Sequence, residues 1–269
     1  MSLISVRDLV EAGTHFGHKV SRWHPLMKPY IFGKRNLIHI IDLKETVKNM
    51  MMAHHFLVKT VQHGGEVLFV GTKRQAQNII ENEAKRCGMH YVKERWLGGC
   101  LTNFDTIRRS LNKLIEMEKK QASGEFNSYS KKEQSTFIRK LKKLKKNLGG
   151  IQKMDHLPSV VVAVDYRRSK IALAEAKKMG IPTICVIDTD GNPKDVDIPI
   201  PANDDAIRSI QLIISKLVDA VIEGKSKLVV QPKPKEEEVK QEKVPFRHKK
   251  ATGAPSRKGP PHSTRSKAK

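Results

Sequence analysis

The sequence predicts an α/β body, a parallel sheet flanked by helices, with an inserted coiled-coil helical hairpin and a disordered basic C-terminal tail. Three observations predict it. Short continuous apolar runs alternate with helical stretches, the pattern of strands buried on both faces. Two adjacent helical stretches in 105–150 each carry a narrow apolar seam. After Val230 large apolar residues almost vanish while Lys and Pro accumulate, so ordering this segment has little burial to offset its entropy.

The body is read over 1–104 and 151–224. Weaker strand signals lie at Leu37–Ile41 and His90–Val92. Val67-Leu68-Phe69-Val70 is a first buried strand, followed by a helix through Arg86 that stops at Cys87-Gly88. Val160-Val161-Val162-Ala163-Val164-Asp165 is a second, and its helix Arg167–Met179 closes at Gly180 and Pro182. Thr183–Asp188 is a third. Asn203 is placed to N-cap a last helix carrying Ile207, Ile210, Ile214, Leu217 and Val221. The hairpin occupies 105–150. Phe104, Ile107, Leu111 and Leu114 line one arm, and Phe137, Leu141, Leu144 and Leu148 the other. Ala122-Ser123-Gly124-Glu125 reads as the loop between them, and Gly149-Gly150 as the end of the second arm. The tail is 225–269.

Charge is distributed unevenly over these parts. The chain has 269 residues, with 51 Lys+Arg against 28 Asp+Glu, a net of +23. The tail holds 14 Lys+Arg against 4 Glu, a net of +10, and the hairpin segment 13 against 5, a net of +8. Only +5 is left for the body. Such an excess points to a polyanion, with nucleic acid ahead of an anionic membrane. No run reaches the ~18 apolar residues of a membrane span. The first residues show no signal-peptide pattern. Cys87, Cys100 and Cys185 lack CxxC spacing, which speaks against a disulfide framework or a cysteine zinc site.

Candidate contact residues follow from charge and position. Lys19, Arg22, Lys28, Lys34 and Arg35 make the N-terminal segment basic, with Trp23 and other aromatics between them. This mixture suits RNA, where Arg and Lys meet phosphates and an aromatic stacks on an unpaired base. Arg95 precedes Trp96, an apolar anchor at the junction with the hairpin. Arg108, Arg109, Lys142, Lys143, Lys145 and Lys146 lie off the hairpin seam and face outward. Lys73 ends Gly71-Thr72-Lys73 at a strand-to-helix turn, where helix amides can hold a phosphate; neither Walker A nor GxGxxG spacing is present. His15, His18 and His39 have spacings open to a metal, without an accompanying ligand pattern. Asp188, Asp190, Asp204 and Asp205 sit near strand ends, where carboxylates either hold a cation such as Mg²⁺ or, for Asp204 and Asp205, serve the first turn of the last helix. The capping role is preferred, so no metal is assigned, with Asp188, Asp204 and Asp205 as the candidates. No nucleophile–base pair is legible, so no catalytic residues and no cofactor are assigned.

A series of motifs then carries a resemblance. It runs from Ala12-Gly13-Thr14-His15-Phe16-Gly17-His18 through Trp23-His24-Pro25-Leu26-Met27-Lys28-Pro29-Tyr30 and Arg35-Asn36-Leu37-Ile38-His39. It continues with Arg95-Trp96-Leu97-Gly98-Gly99-Cys100-Leu101-Thr102-Asn103-Phe104 and Ile198-Pro199-Ile200-Pro201-Ala202-Asn203-Asp204-Asp205. In this order they resemble the family of the second protein of the small ribosomal subunit, of bacterial or plastid type, from about Val6 to Gly224. Asp188-Thr189-Asp190-Gly191 departs from the Asp-Thr-Asn usual there. The resemblance implies a flavodoxin-like or Rossmann-like body with a protruding coiled coil, and no catalysis. It implies binding to small-subunit rRNA and to neighbouring small-subunit ribosomal proteins, including the large first protein where present. Neither a membrane nor a homo-oligomer is expected. The implied location is the ribosome, in cytoplasm or plastid stroma. Two other readings stay open from the residues themselves: a nucleotide-binding α/β enzyme, and a free RNA or protein adaptor.

Overall fold

The computed structural model describes residues 4–128 and 130–228. Five parallel strands form the central sheet in the order β5-β4-β6-β7-β8: β4 (Val67–Val70), β5 (His90–Val92), β6 (Val160–Val164), β7 (Thr183–Ile187) and β8 (Ile198–Pro201). The apolar runs of β4, β6 and β7 are buried at every position because both faces are covered. Alternate residues serve opposite faces. Val67, Phe69, Val160, Val162 and Val186 join one core with helices α2 (Leu43–Gln62), α3 (Arg74–Cys87) and α7 (Ile207–Ser226). Leu68, Val70, Val161, Ala163 and Cys185 join the other, which takes in helix α6 (Tyr166–Lys178) and the root of the hairpin.

A second sheet precedes this body. Strands β1 (Phe16–Lys19), β2 (Ile31–Arg35) and β3 (Ile38–Ile41) pair antiparallel in the order β1-β3-β2, after the short helix α1 (Val6–Glu11). The two-residue turn between β2 and β3 places Asn36 and Leu37 at φ +50° and +61°, the left-handed geometry of tight hairpins. The predicted strand at 37–41 therefore begins one residue later, and the other two strands of this sheet carried no run long enough to announce them. β8 also went unpredicted, since Ile-Pro-Ile-Pro reads as a non-strand. It is tolerated because β8 lies at the sheet edge, where a missing N–H need not break a ladder.

The hairpin consists of α4 (Phe104–Ala122) and α5 (Lys131–Leu148), inserted between β5 and β6. Ile107, Leu111, Leu114, Leu141 and Leu148 of the expected seam are buried, with Met117 added. The connection is longer than the predicted loop. Gly124 turns at φ +77°, a 3-10 turn follows over Glu125–Ser128, and Ser130 with Glu133 forms a capping box that starts α5.

Three glycines act otherwise than expected. Gly149 is right-handed, so no left-handed cap ends α5; a 3-10 turn over Gly149–Ile151 continues it. Gly150 is needed for closeness, because a Cβ there would overlap the carbonyl oxygen of Tyr91 on β5. Gly224 lies inside α7, where a Cβ would come within 2.9 Å of the Val58 carbonyl oxygen and Val61 on α2. The helix therefore runs on through Ser226, and the predicted tail boundary at 225 falls two residues short of the helix end. The rest of the tail, 229–269, lies outside the described residues.

Gly150→Ala is expected to lower stability by about 1–3 kcal/mol through overpacking at the hairpin root. Urea denaturation of both proteins measures it.

Candidate nucleic-acid interface and its buried anchor

In the central sheet the chain reverses direction between β4 and β6, and a crevice opens at the strands' carboxyl ends at such a point. Here that crevice is filled. Lys73, in the turn between β4 and α3, is 6% exposed. Its Nζ lies 2.6 Å from Asp204 Oδ1, 2.7 Å from Asp205 Oδ1 and 3.5 Å from Asp165 Oδ2. Asp165 follows β6 in a left-handed conformation at φ +68°, a strained geometry for a non-glycine residue, and its carboxylate accepts from the Arg168 N–H to cap α6. Burial disfavours the Lys73 charge, but the carboxylates outweigh it and hold its pKa above the ordinary lysine value. Asp204, 2% exposed, is pushed up to about 7 by burial and by repulsion from Asp188 and Asp165, with Lys73 pulling the other way.

The same cluster reaches the N-terminal sheet. His18 Nδ1 lies 2.8 Å from Asp188 Oδ2, and its backbone N–H donates to Asp188 Oδ1 and Thr189 Oγ1. The bond to Asp188 raises the His18 pKa to about 9 against the opposing effect of burial. A Cβ on Gly17 would lie 2.6 Å from Thr189, so β1 is pressed directly onto the loop after β7. The His24 N–H donates to the Thr189 carbonyl, and the Asn203 N–H to that of Thr14.

These contacts correct several sequence expectations. Lys73 is removed from the candidate RNA contacts, because its ammonium is enclosed by carboxylates. The Gly71-Thr72-Lys73 turn is no phosphate loop: Gly71 is small because a Cβ would meet Ile80 at 2.5 Å. Asn203 does not cap α7. Its Oδ1 accepts from Asp205 and Ala206 in an Asx turn, and Ala206 is the N-cap. Asp204 and Asp205 accordingly pair with Lys73 instead of serving the first turn. The three histidines separate. His39 faces Trp23, and His18 alone joins acids: its ring, Asp188 and Asp204 have ligand atoms within 4.8 Å of one another. An imidazole and two carboxylates form a donor set that could hold a divalent cation such as zinc. Sequence reading proposed the acids but missed His18 as their partner, since 170 residues separate it from Asp188.

The hairpin is anchored by a second buried carboxylate. Glu175 on α6 accepts from Trp96 Nε1 at 3.0 Å, from the backbone N–H groups of Gly99, Leu101 and Thr102, and from the Thr102 hydroxyl. Trp96 is buried as its anchoring role requires, whereas Arg95 is exposed.

The remaining predicted contacts are exposed. Lys19, Arg22, Trp23, Lys28, Lys34 and Arg35 stand on the small sheet and its loops, and these five cations have no ion pair among the described residues. Lys19 and Arg35 flank Ile38 from opposite sides. On the hairpin, Arg109, Lys142 and Lys143 are likewise unpaired among the described residues. Arg108 bonds Asp155, Lys145 pairs with Glu118 and Lys146 with Glu94. These are exposed pairs of small worth, and a phosphate can compete for each cation.

The profile of the family described as ribosomal protein S2 matches residues 9–224. The chain is 50% identical over 230 residues to the small ribosomal subunit protein uS2 of Dehalococcoides mccartyi, covering 86% of this chain and 94% of that one. It is 50% identical over 224 residues to the protein of the same description from Geotalea uraniireducens, covering 83% of this chain and 88% of that one.

Lys73→Met leaves buried carboxylates without their cation and is expected to destabilise by about 3–5 kcal/mol in chemical denaturation. His18 is protonated in the fold up to about pH 9, against an ordinary value of 6.5. Its stabilisation is complete below pH 6.5 and is lost as the pH rises through 9. Asp204 acts in the same direction at lower pH. Denaturation midpoints should therefore fall between pH 6.5 and 9, and His18→Gln should flatten that fall.

Proposed function

The chain belongs to the ribosomal protein S2 family, and from that membership we propose how its surfaces meet the ribosome. The protein is a structural, non-enzymatic component of the small ribosomal subunit and associates there with rRNA and ribosomal proteins. Two exposed cationic surfaces make the RNA contacts. One is the small sheet with Lys19, Arg22, Trp23, Lys28, Lys34 and Arg35. The other is the hairpin, 105–150, with Arg108, Arg109, Lys142, Lys143, Lys145 and Lys146, joined at its root by Arg95. One observation carries this reading: cations buried in the body are matched by carboxylates, whereas those on the two surfaces stand mostly free. Phosphates then supply the attraction, and the rigid body fixes the position. The protein binds as a single copy beside its ribosomal neighbours, the large first protein among them where the organism has it, in the cytoplasm and away from membranes.

The nucleotide-enzyme alternative fails on the same electrostatics. Lys73 is occupied at the crevice, and Asp165, Asp188, Asp204 and Asp205 would repel a phosphate there. The free-adaptor alternative predicts a protein that does not sediment with small subunits.

Charge reversal of Lys142 and Lys143 to Glu should weaken rRNA binding and lower the slope of log K against log salt by about one for each phosphate no longer neutralised. Unchanged binding and slope would remove α5 from the RNA surface.

A further inference from the structure

The small sheet carries a crevice that packing alone does not account for. Trp23, Lys28, Ile31, Gly33, Lys34 and His39 line a cavity of about 240 Å³. His39 is 8% exposed, yet among the described residues neither of its ring nitrogens has a hydrogen-bond partner. Buried polar atoms are nearly always satisfied, so two unmet nitrogens on one side chain mark a place where a partner is missing. The neighbouring groups describe that partner. Trp23 lies 5.3 Å from the His39 ring, centroid to centroid, with its indole partly exposed. Lys34 is the direct cross-strand partner of His39, which puts both side chains on one face of the sheet. Lys28 also lines the crevice.

The crevice is thus lined by an aromatic ring, an imidazole whose two unmet nitrogens lie just beneath its surface, and two lysines. An acidic peptide would meet the lysines but leave the aromatic wall and the imidazole unused. A duplex would meet the lysines but keep its base edges away from His39. A single unpaired nucleotide uses all of them: ring on Trp23, polar edge on His39, phosphate on the lysines.

We propose that this crevice receives one extruded, unpaired nucleotide of the bound RNA. The proposal rests on the rRNA-binding role above and adds to it a site and a ligand class. Because stacking and edge contacts survive salt better than phosphate contacts do, the site contributes most when phosphate attraction is screened.

The test uses the full-length protein and small-subunit rRNA. Ultraviolet cross-linking followed by mass spectrometry should find a nucleotide adduct on the peptide containing Trp23. Trp23→Leu should remove that adduct and weaken binding about tenfold at raised salt, the loss of one stacked base. His39→Phe keeps a ring against Trp23 and removes only the unmet nitrogens. It should bind RNA more weakly while its melting temperature stays equal or rises, an outcome that a purely structural histidine would not give. Wild-type binding by both variants would overturn the proposal. So would adducts confined to other segments. Failure of the parent protein to bind rRNA at all would overturn the functional reading as well, and so is distinguishable.

Discussion

A single buried ammonium, Lys73, closes the place where this sheet topology is otherwise open. Three carboxylates surround it, and they arrive from two different segments: Asp165 after β6, and Asp204 with Asp205 between β8 and α7. Desolvating these charges is costly, and only their mutual attraction with nearby hydrogen bonds offsets it. The arrangement ties the loop after β6 and the β8–α7 connection to one ammonium, and so fixes where they sit relative to each other. Asp188 and His18 extend the same network to β1, so the N-terminal sheet is held against the body through ions as well as through Met27, Tyr30 and Ile31, which pack into the body core.

The hairpin is mounted on a comparable principle with the charge sign inverted. Glu175 lies among donors, and the 96–102 loop would otherwise leave several backbone N–H groups unmatched at a buried turn. The hydrogen bonds from Leu101, Trp96, Gly99 and Thr102 keep its pKa below the ordinary glutamate value although burial pushes it up. Since α4 begins only two residues beyond Thr102, the direction in which a 19-residue helix leaves the body is set at this carboxylate. At about 1.5 Å per residue, a small angular error at the root becomes a displacement of several ångströms at the tip.

How far these features were legible depends on whether their cause is local. The buried strands announce themselves because a strand covered on both faces needs an unbroken apolar run, as in Val160–Val164. The hairpin seam is legible because its period survives in Leu111, Leu114, Leu141, Leu144 and Leu148. The small sheet was legible only in β3, which the signal at 37–41 marked; β1 and β2 are four and five residues long with no buried position, and Phe32 faces outward. Lys73 misled for a related reason. A lysine at a strand-to-helix turn signals a phosphate site only if its charge is free, and its neutralising partners lie more than 90 residues away in sequence. The capping box at Ser130 and Glu133, by contrast, was present as a local S-x-x-E pattern and could have been read.

The partition of charge then explains how one fold can be both stable and strongly basic. A net charge of +23 spread evenly over a compact body would weaken it by self-repulsion. Here Lys73, buried in the body, is matched by carboxylates, and most of the excess lies elsewhere, +8 in the hairpin segment and +10 in the 225–269 tail, where water and salt screen it. A polyanion would relieve the remaining repulsion between those charges. Binding therefore draws on electrostatic energy that folding leaves unused. Because the small sheet and the hairpin are fixed to one frame by the Lys73 network and the Glu175 anchor, engagement of the first raises the effective concentration of the second at its own RNA segment. That gain requires correct spacing. On the proposed RNA-binding reading, rigid mounting of the two surfaces is thus as much a part of recognition as the lysines and arginines they carry.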